Sequence, residues 1–345
     1  MDGRISVAAA TAAVLAMTTA GQTAPRLYEV TTAAQLTEAV SKIEPDGGTI
    51  SLAPGVYEIS EPLLISGKST VNLRGTGWDS VIRRRGPGDA IVIDKGSFCT
   101  VRDLLILGDA SADTGSGIVF RSASSCRIDF CRICGFAVSG VRFEGDPKSP
   151  MSSNTVSNCH FIGNGGDQLY SLNNNDFYIV GNQFGTHGKT PRTGCWLDHS
   201  SAGTYAMNYH WGNVNALRLG PGSHYNRIEN NRFEQSRESG IVIGYTAGGD
   251  PCVFNIITGN TIHTNSEGKP GEFAAVIAYD SHQTTFCANQ VFSWDSRSVK
   301  HKSSLVLERN CVNWIVKDNN FRHNTGPAMV YSAEAGHVVK DNLTD

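Results

Sequence analysis

A chain of 345 residues with a formal net charge of −3 and 18% charged residues carries no large field of one sign, so composition does not indicate nucleic acid or an anionic membrane as its partner. No run of about 20 apolar residues marks a membrane span in the body of the chain. The nine cysteines are scattered and odd in number, and they lie where a small apolar side chain would pack, which favours core thiols over disulfides or zinc.

Residues 1–24 form an apolar N-terminal segment that is rich in alanine from Ile5 to Ala20. Arg4 precedes the apolar stretch and small residues end it, a pattern typical of a secretory signal peptide. The alternative is a retained apolar anchor. The sequence therefore predicts a signal peptide or anchor over 1–24 and one domain over 25–345, secreted or displayed on a particle surface.

A short helix is predicted between Thr31 and Val40, since this segment opens with threonines and then has apolar residues at helical spacing. Strand-like segments follow it directly. We expect the helix to cap the first strands, whose backbone edge and apolar side chains would otherwise face water.

From about Leu73 to the end, the chain repeats one unit of two short strands and two polar corners. The apolar residue that ends the first strand recurs every 22 to 30 positions, at Ile133, Phe161, Phe184, Trp211, Phe233, Ile262, Val291 and Phe321. Repeats of this length indicate a solenoid, and strands without helical spacing favour a parallel β-helix. Its core is predicted to contain Ile133, Phe161, Phe184, Phe233, Ile262, Val291 and Phe321.

Asparagine recurs two positions before that apolar residue, with Cys131, Cys159 and Tyr209 in the other copies, and the five asparagines are Asn182, Asn231, Asn260, Asn289 and Asn319. Asparagine tolerates left-handed backbone, and its amide can bond the same residue in the next coil. A stacked asparagine at one corner of successive coils is therefore predicted.

The opening of the domain carries a family resemblance. The segments GGTISLAPGVYEIS and VNLRGTG, which follow the predicted helix, resemble the start of the pectate-lyase-like superfamily, which includes polysaccharide lyases, glycoside hydrolases and tailspike depolymerases. The resemblance implies an all-β, single-stranded right-handed parallel β-helix, here of about ten coils, with a polysaccharide lying along the outside of the coils. It is specific for architecture and weak for chemistry, because many activities share this scaffold.

The sequence departs from the catalytic motifs of that superfamily. The Asn-Thr-Asp, Asp-Asp and Gly-His-Gly motifs of polygalacturonases are absent, and no aspartate cluster matches the calcium ligands of pectate lyases. There is also no phosphate-cradling loop and no HExxH or GxSxG motif. The sequence accordingly predicts no cofactor and no metal site.

Candidate site residues lie at positions that the repeat does not require. Alternation along the second strand of each unit predicts that Arg142, Ser171, Trp196 and Arg218 face outward. Trp196 and Arg218 are then neighbours one coil apart, about 4.8 Å by strand spacing. An indole beside a guanidinium can hold a sugar ring and its anionic neighbour, and the alternative is a tryptophan that covers a loop.

A carboxylate and an imidazole follow that tryptophan. Asp198 and His199 end the strand and could act as acid and base toward a glycosidic bond. His210 and Glu234 lie at the other corner of neighbouring coils, and Asp280 with His282 repeats the Asp/His pairing. We therefore assign two sets: a catalytic set of Asp198, His199, Glu234 and Asp280, and a substrate-binding set of Trp196, Arg218, His210 and His282. For each residue the alternative is a solvated surface role.

Two functions follow from the resemblance and these residues. One is a carbohydrate-active enzyme, a glycoside hydrolase or a polysaccharide lyase, and the habits of the family favour it. The other is a non-catalytic polysaccharide-binding spike, anchored by its N-terminal segment and homotrimeric. Neither involves nucleic acid or a membrane span in the mature domain.

Overall fold

The protein is a parallel β-helix of about 12 turns. The computed structural model describes residues 26–186, 192–245, 247–294 and 299–345, so the predicted signal or anchor over 1–24 lies outside the described residues. Three long parallel sheets run along the molecule. The predicted number of coils was about two too low. The first coils place Tyr57, Ile82 and Ile106 in the core, in register with one another, but they lack the asparagine that marks the later coils. The repeat pattern therefore does not reveal them.

Each coil contributes one strand to each long sheet. The 13 strands of sheet 1 are Leu27–Val30, Gly48–Leu52, Val71–Arg74, Thr100–Arg102, Arg127–Asp129, Thr155–Ser157, Tyr178–Val180, Thr204–Ala206, Arg227–Glu229, Ile256–Thr258, Thr285–Cys287, Ile315–Lys317 and Val338–Lys340. The 11 strands of sheet 2 are Gly55–Ile59, Ser80–Arg84, Leu105–Leu107, Arg132–Cys134, His160–Ile162, Gln183–Gly185, Tyr209–Trp211, Arg232–Glu234, Thr261–His263, Gln290–Phe292 and Asn320–Arg322.

Sheet 3 is formed by the strands that follow the sheet 2 strand of each coil along the chain. Its 11 strands are Leu63–Ser66, Ile91–Asp94, Ser116–Arg121, Ser139–Glu144, Asp167–Leu172, Thr193–Asp198, Asn215–Leu219, Ile241–Ile243, Val276–Ala278, Leu305–Leu307 and Met329–Val330. Two short pairs lie between sheets 3 and 1 in chain order, Met151–Ser152 with Asn174–Asn175 and Cys252–Val253 with Ser281–His282.

The predicted helix spans Ala33–Lys42, and a 3₁₀ turn spans Ala333–Ala335. Thr32 caps the helix by accepting a hydrogen bond from the Gln35 backbone N–H, while the Gln35 side chain accepts one from the Thr32 N–H. This reciprocal capping box fixes the helix start. Leu36 is fully buried, so the helix closes the first coils as expected. Among the described residues, no helix is long and apolar enough to cross a membrane.

The inward side chains of sheet 2 stack into a column that fills the interior. Seven of the predicted core residues are fully buried: Ile133, Phe161, Phe184, Phe233, Ile262, Val291 and Phe321. The rings of Phe161 and Phe184 lie parallel with centroids 4.8 Å apart, which is the spacing of one coil. Burying side chains of this size contributes roughly 1.5–3 kcal/mol each relative to leaving them exposed.

The repeat position given to Trp211 is wrong by one residue, because His210 occupies the core column in that coil. The imidazole lies between Phe184 and Phe233, with ring centroids at 4.5 and 5.2 Å, and its Nε2 is hydrogen-bonded to the Tyr205 hydroxyl. The hydrogen bond with the Tyr205 hydroxyl lowers the free-energy cost of burying the polar imidazole in the core. His210 is fully buried, so it does not contact a ligand outside the coils and is not a substrate-binding residue.

The predicted asparagine stack is present and is longer than expected. Each side-chain amide donates to the carboxamide oxygen of the next member, and the members are Asn182, Asn208, Asn231, Asn260, Asn289, Asn319 and Asn342. Asn208 takes the position that the sequence analysis gave to Tyr209, by the same one-residue shift that exchanged His210 and Trp211. The ladder thus ties seven successive coils together.

The buried histidines predict a loss of stability in acid. Burial lowers the pKa of His210 to about 3 and that of His301 to about 4, whereas a histidine in an unfolded chain titrates near 6.5. Between those pH values the unfolded state binds more protons than the folded state. The contribution of these neutral histidines to the free energy of unfolding is therefore complete above a pH of about 6.5 and is lost as the pH falls toward 3. We expect the urea midpoint to drop across this window.

The matched variant is His210→Phe combined with Tyr205→Phe, which removes one titrating group together with its hydroxyl partner. Its urea midpoint should fall less steeply with pH than that of the wild type. Identical slopes would contradict the assignment of this acid sensitivity to His210.

Candidate functional site

The outward side chains of sheet 3 form a row in which residues of successive coils are in register. Arg142, Tyr170, Trp196 and Arg218 occupy consecutive places in it. Ser171, which was predicted to face outward, is instead fully buried, and its hydroxyl lies 3.2 Å from that of Ser200. Sequence reasoning missed Tyr170 for this reason, although aligning the buried Leu169 with Cys195 would have placed it in the row.

Trp196 is the centre of the row. The guanidinium groups of Arg192 and Arg218 lie 5.3 and 5.0 Å from its ring centroid, and the rings of Tyr170 and Tyr245 contact it edge-on at 5.2 and 6.0 Å. Each cation near an indole contributes about 0.5–2 kcal/mol. The indole therefore holds the arginines in place and is less of an open stacking surface than the sequence predicted.

The Arg218 guanidinium has no acidic partner among the described residues. It lies between Trp196 and Tyr245, 5.0 and 5.4 Å from the two ring centroids. Within the part of the chain that the structure describes, no carboxylate lies within 4.0 Å of it, whereas Arg192 is paired with Asp167 at 2.7 Å. A fixed guanidinium with free donors suits a ligand carboxylate, which it can bind through two parallel hydrogen bonds.

Asp198 and His199 adjoin this row and are in direct contact. The Asp198 Oδ1 lies 2.9 Å from His199 Nδ1, and its Oδ2 accepts a hydrogen bond from the Tyr170 hydroxyl at 3.1 Å. The Asp198 side chain is 14% exposed and that of His199 is 43% exposed. Burial, followed by the charge of Asp198, raises the pKa of Tyr170, so this phenol keeps its proton at neutral pH.

A second carboxylate lies on the far side of the imidazole. The His199 Nε2 is 3.9 Å from the Asp250 Oδ2, and the Asp250 side chain is largely exposed. No sequence pattern marks Asp250 as a neighbour of His199, because Asp250 comes from a loop two coils further along the chain. His199 thus lies between two carboxylates, one partly buried and one in solvent.

Gly220 keeps the space between the indole and the carboxylate open. A Cβ at this position would lie 2.8 Å from both Asp198 Oδ1 and Trp196 Nε1. The indole N–H is buried and has no hydrogen-bond partner among the described residues. Any side chain at position 220 would therefore displace the Asp198 carboxylate or the Trp196 ring.

Glu234, which the sequence assigned to one catalytic set with Asp198, belongs to a separate cluster. It lies on sheet 2 and its carboxylate accepts hydrogen bonds from the Tyr209 hydroxyl and from Arg232 Nε at 2.8 Å, while His263 Nε2 lies 2.9 Å away. The carboxylate is buried and fully bonded. Burial, followed by the bond to Glu234, raises the pKa of Tyr209 to about 12. The sequence assigned Glu234 and Asp198 to one site because the spacing of the repeat indicates the coil in which a residue lies but not the face of the coil.

Asp280 and His282 are also remote from Asp198. Asp280 follows the sheet 3 strand three coils beyond the strand of Asp198, roughly 14 Å along the helix axis. Its carboxylate is paired with Arg309 and accepts a hydrogen bond from Asn310 at 2.9 Å, and the Arg309 bond lowers the pKa of this carboxyl. His282 lies in the short strand paired with Cys252–Val253. The structure does not bring this pair into the Asp198 cluster.

Comparison with known proteins supports the architecture. A family model described as a right handed beta helix region matches residues 89–291 and 207–345. No curated protein matches the chain. Three solved structures with similar folds are the Dettilon tailspike protein (15% identity, 90% of this chain, 64% of that chain, TM-score 0.68), the tailspike of E. coli bacteriophage HK620 in complex with a pentasaccharide (13%, 90%, 61%, 0.67) and the DFA-IIIase of Arthrobacter chlorophenolicus A6 in complex with DFA-III (12%, 90%, 81%, 0.65).

These identities are low, so the likeness concerns the fold alone. The chain spans less than two thirds of the length of the two tailspikes.

Proposed function

The chain belongs to the right-handed beta helix family, and we propose that it cleaves an acidic polysaccharide by β-elimination on the outer face of sheet 3. One observation carries the proposal: Asp198 binds both His199 and Tyr170, and the Arg218 guanidinium, which has no acidic partner among the described residues, lies 5.0 Å from the ring of the neighbouring Trp196. An acid, a base and a cation for a uronate carboxylate are the three groups that this reaction requires.

In this mechanism Arg218 binds the uronate carboxylate and offsets the charge that builds up as the C5 proton leaves. His199 Nε2 takes that proton, since Asp198 holds the opposite nitrogen as an N–H donor. Tyr170 gives its proton to the glycosidic oxygen, the C4–O bond breaks, and the electron pair from C5 forms the C4=C5 double bond. Solvent then returns a proton to Tyr170 and accepts one from His199.

A hydrolase is the second candidate, and the position of Asp250 favours it. Asp198 and Asp250 are separated by one imidazole ring, a distance of the order of the roughly 6.5–9.5 Å between the carboxyl groups of inverting glycosidases. Asp250 would then activate water. The non-catalytic spike is the third candidate, since a row of arginines and aromatic rings can bind a polysaccharide without chemistry.

The proposed activity places the protein outside a cell or on a particle surface, with a polysaccharide as its partner. The fold shared with two tailspikes, one of them crystallised with a pentasaccharide, supports this placement. A homotrimer belongs to the spike candidate, and light scattering coupled to size exclusion would detect it.

The deciding experiment incubates the protein with a panel of acidic and neutral polysaccharides while following reducing ends and the absorbance of unsaturated uronates. Elimination raises both signals on acidic polymers, and hydrolysis raises reducing ends alone. An absence of product from every polymer would overturn the proposed enzyme and favour the spike.

Replacing Arg218 by glutamine is expected to lower kcat/KM on an acidic polymer by roughly 10- to 100-fold, which is the loss of one charge-assisted pair of about 1.5–3 kcal/mol. Steady-state kinetics on the cleaved polymer measures it. The matched control is Arg121→Gln, since this arginine is also on sheet 3 but is already paired with Glu144 at 3.0 Å and Asp89 at 3.2 Å. Equal losses in the two variants would argue against Arg218 as the carboxylate ligand.

A further inference from the structure

The outward row of sheet 3 changes its chemistry after Arg218. The next four places, in register with Arg218 and one coil apart, hold only aliphatic side chains: Val242, Ile277, Val306 and Val330. Side chains that face water on a sheet are usually polar, whereas these four aliphatic ones form a continuous apolar strip, in which Val306 is 8% and Val330 43% exposed.

This strip is the floor of a groove, which we call the aliphatic groove and define by Val242, Ile277 and Val306. Its cavity volume is about 370 Å³, and Arg218 closes the end nearest the candidate site. The rim is polar and mostly acidic, with Glu238, Glu272, Lys302 and Glu308 around the floor. The aliphatic groove and the Arg218 site are therefore parts of one continuous surface.

Three properties define what fits this groove. The floor offers no donor or acceptor, so a sugar hydroxyl pressed onto it would lose its hydrogen bonds to water at a cost of roughly 1–3 kcal/mol. Methyl groups, by contrast, gain about 0.8 kcal/mol each from burial there. The carboxylates of Glu238 and Glu308 repel a second uronate. The coil spacing of about 4.8 Å is close to the length of one pyranose unit, so neighbouring sugars meet neighbouring coils.

We propose that the aliphatic groove binds a neutral sugar that carries a methyl group on the edge facing the groove floor. This sugar lies next to the uronate held by Arg218. This inference rests on the proposed function, because it assumes that a uronate binds Arg218. The methyl group can come from an O-acetyl ester or from a 6-deoxy sugar. The substrate is then a mixed polymer of acidic and methyl-bearing neutral sugars, and a homopolymer of uronates binds less well.

Three polymers test the proposal and separate the two sources of the methyl group. High-acyl gellan carries glucuronate, a 6-deoxy sugar and O-acetyl groups, low-acyl gellan lacks the acyl groups, and polyglucuronate lacks both. Calorimetry at constant ionic strength should show about five- to tenfold tighter binding of a gellan than of polyglucuronate, per glucuronate. Tighter binding of the high-acyl form alone assigns the groove to the acetyl group, and equal binding of both gellans assigns it to the 6-deoxy sugar.

The variant is Val242→Thr combined with Ile277→Thr, which puts hydroxyl groups on the floor with β-branched residues that a strand accepts. It should remove the preference for gellan and leave the affinity for polyglucuronate unchanged. Val56→Thr is the control, since Val56 is 53% exposed on sheet 2, far from the groove. Equal affinity of all three polymers for the wild type, or an unaltered preference in the double variant, would overturn the inference and leave the proposed function intact. Failure of all three polymers to bind would also overturn the inference, whereas the proposed function is decided separately by the panel of polysaccharides.

Discussion

Replacing Asp198 by asparagine is expected to lower turnover by roughly 10²- to 10⁴-fold and to leave polysaccharide affinity within about twofold. The carboxylate accepts hydrogen bonds from Tyr170 at 3.1 Å and contacts His199 Nδ1 at 2.9 Å. An asparagine has one acceptor oxygen, so one of these partners would face an N–H group, and the charge that stabilises the protonated imidazole would be gone. The initial rate at saturating polymer gives turnover, and calorimetry gives affinity.

Two further variants test whether the loss of turnover is specific to the Asp198 carboxylate. Asp250→Asn alters a carboxylate that is 77% exposed and 3.9 Å from His199 Nε2. Elimination should be little affected by it, whereas hydrolysis with Asp250 as the base should be abolished. Trp196→Ala should weaken binding, since the indole holds Arg218 in place. Full turnover by Asp198→Asn would exclude this site from the chemistry.

The core of the solenoid could be predicted from the sequence because its signal is repeated. A position that must hold a large apolar side chain in every coil is visible many times, and Phe161, Phe184 and Phe233 mark it clearly. The error at His210 has a physical cause. The imidazole is stabilised by contacts with two aromatic rings from neighbouring coils and by a hydroxyl five residues earlier, and single-sequence patterns do not show such partners.

The candidate site was predicted only where its residues are close in sequence or in the same row. Asp198 and His199 adjoin each other, and Trp196 and Arg218 are one coil apart in register, so both contacts could be predicted. Glu234 was misplaced because the face on which a residue lies depends on where each corner turns the chain. Corner lengths vary from coil to coil, and the spacing of the repeat does not determine them.

The asparagine ladder supports the second large effect, since the side chain of each inner member makes at least four hydrogen bonds. The Asn231 carboxamide oxygen accepts from the Asn208 backbone N–H at 2.9 Å and from its side-chain amide at 3.1 Å. The Asn231 amide donates to the Tyr205 carbonyl at 2.9 Å and to Asn260 Oδ1 at 3.0 Å. Asn231 is 2% exposed, so water does not readily replace these bonds.

Asn231→Ala is therefore expected to lower the free energy of unfolding by at least about 3 kcal/mol, since each buried group left without a partner costs roughly 1–3 kcal/mol. A total stability of about 5–15 kcal/mol makes this a large share, visible as a shift of the urea midpoint at unchanged slope. Asn342→Ala is the control, because Asn342 makes the same bonds to Asn319 at the partly exposed end of the ladder. Water can replace its bonds there, so its loss should stay below about 1 kcal/mol. Equal shifts in the two variants would mean that the ladder stabilises the coils no more in the interior than at its end.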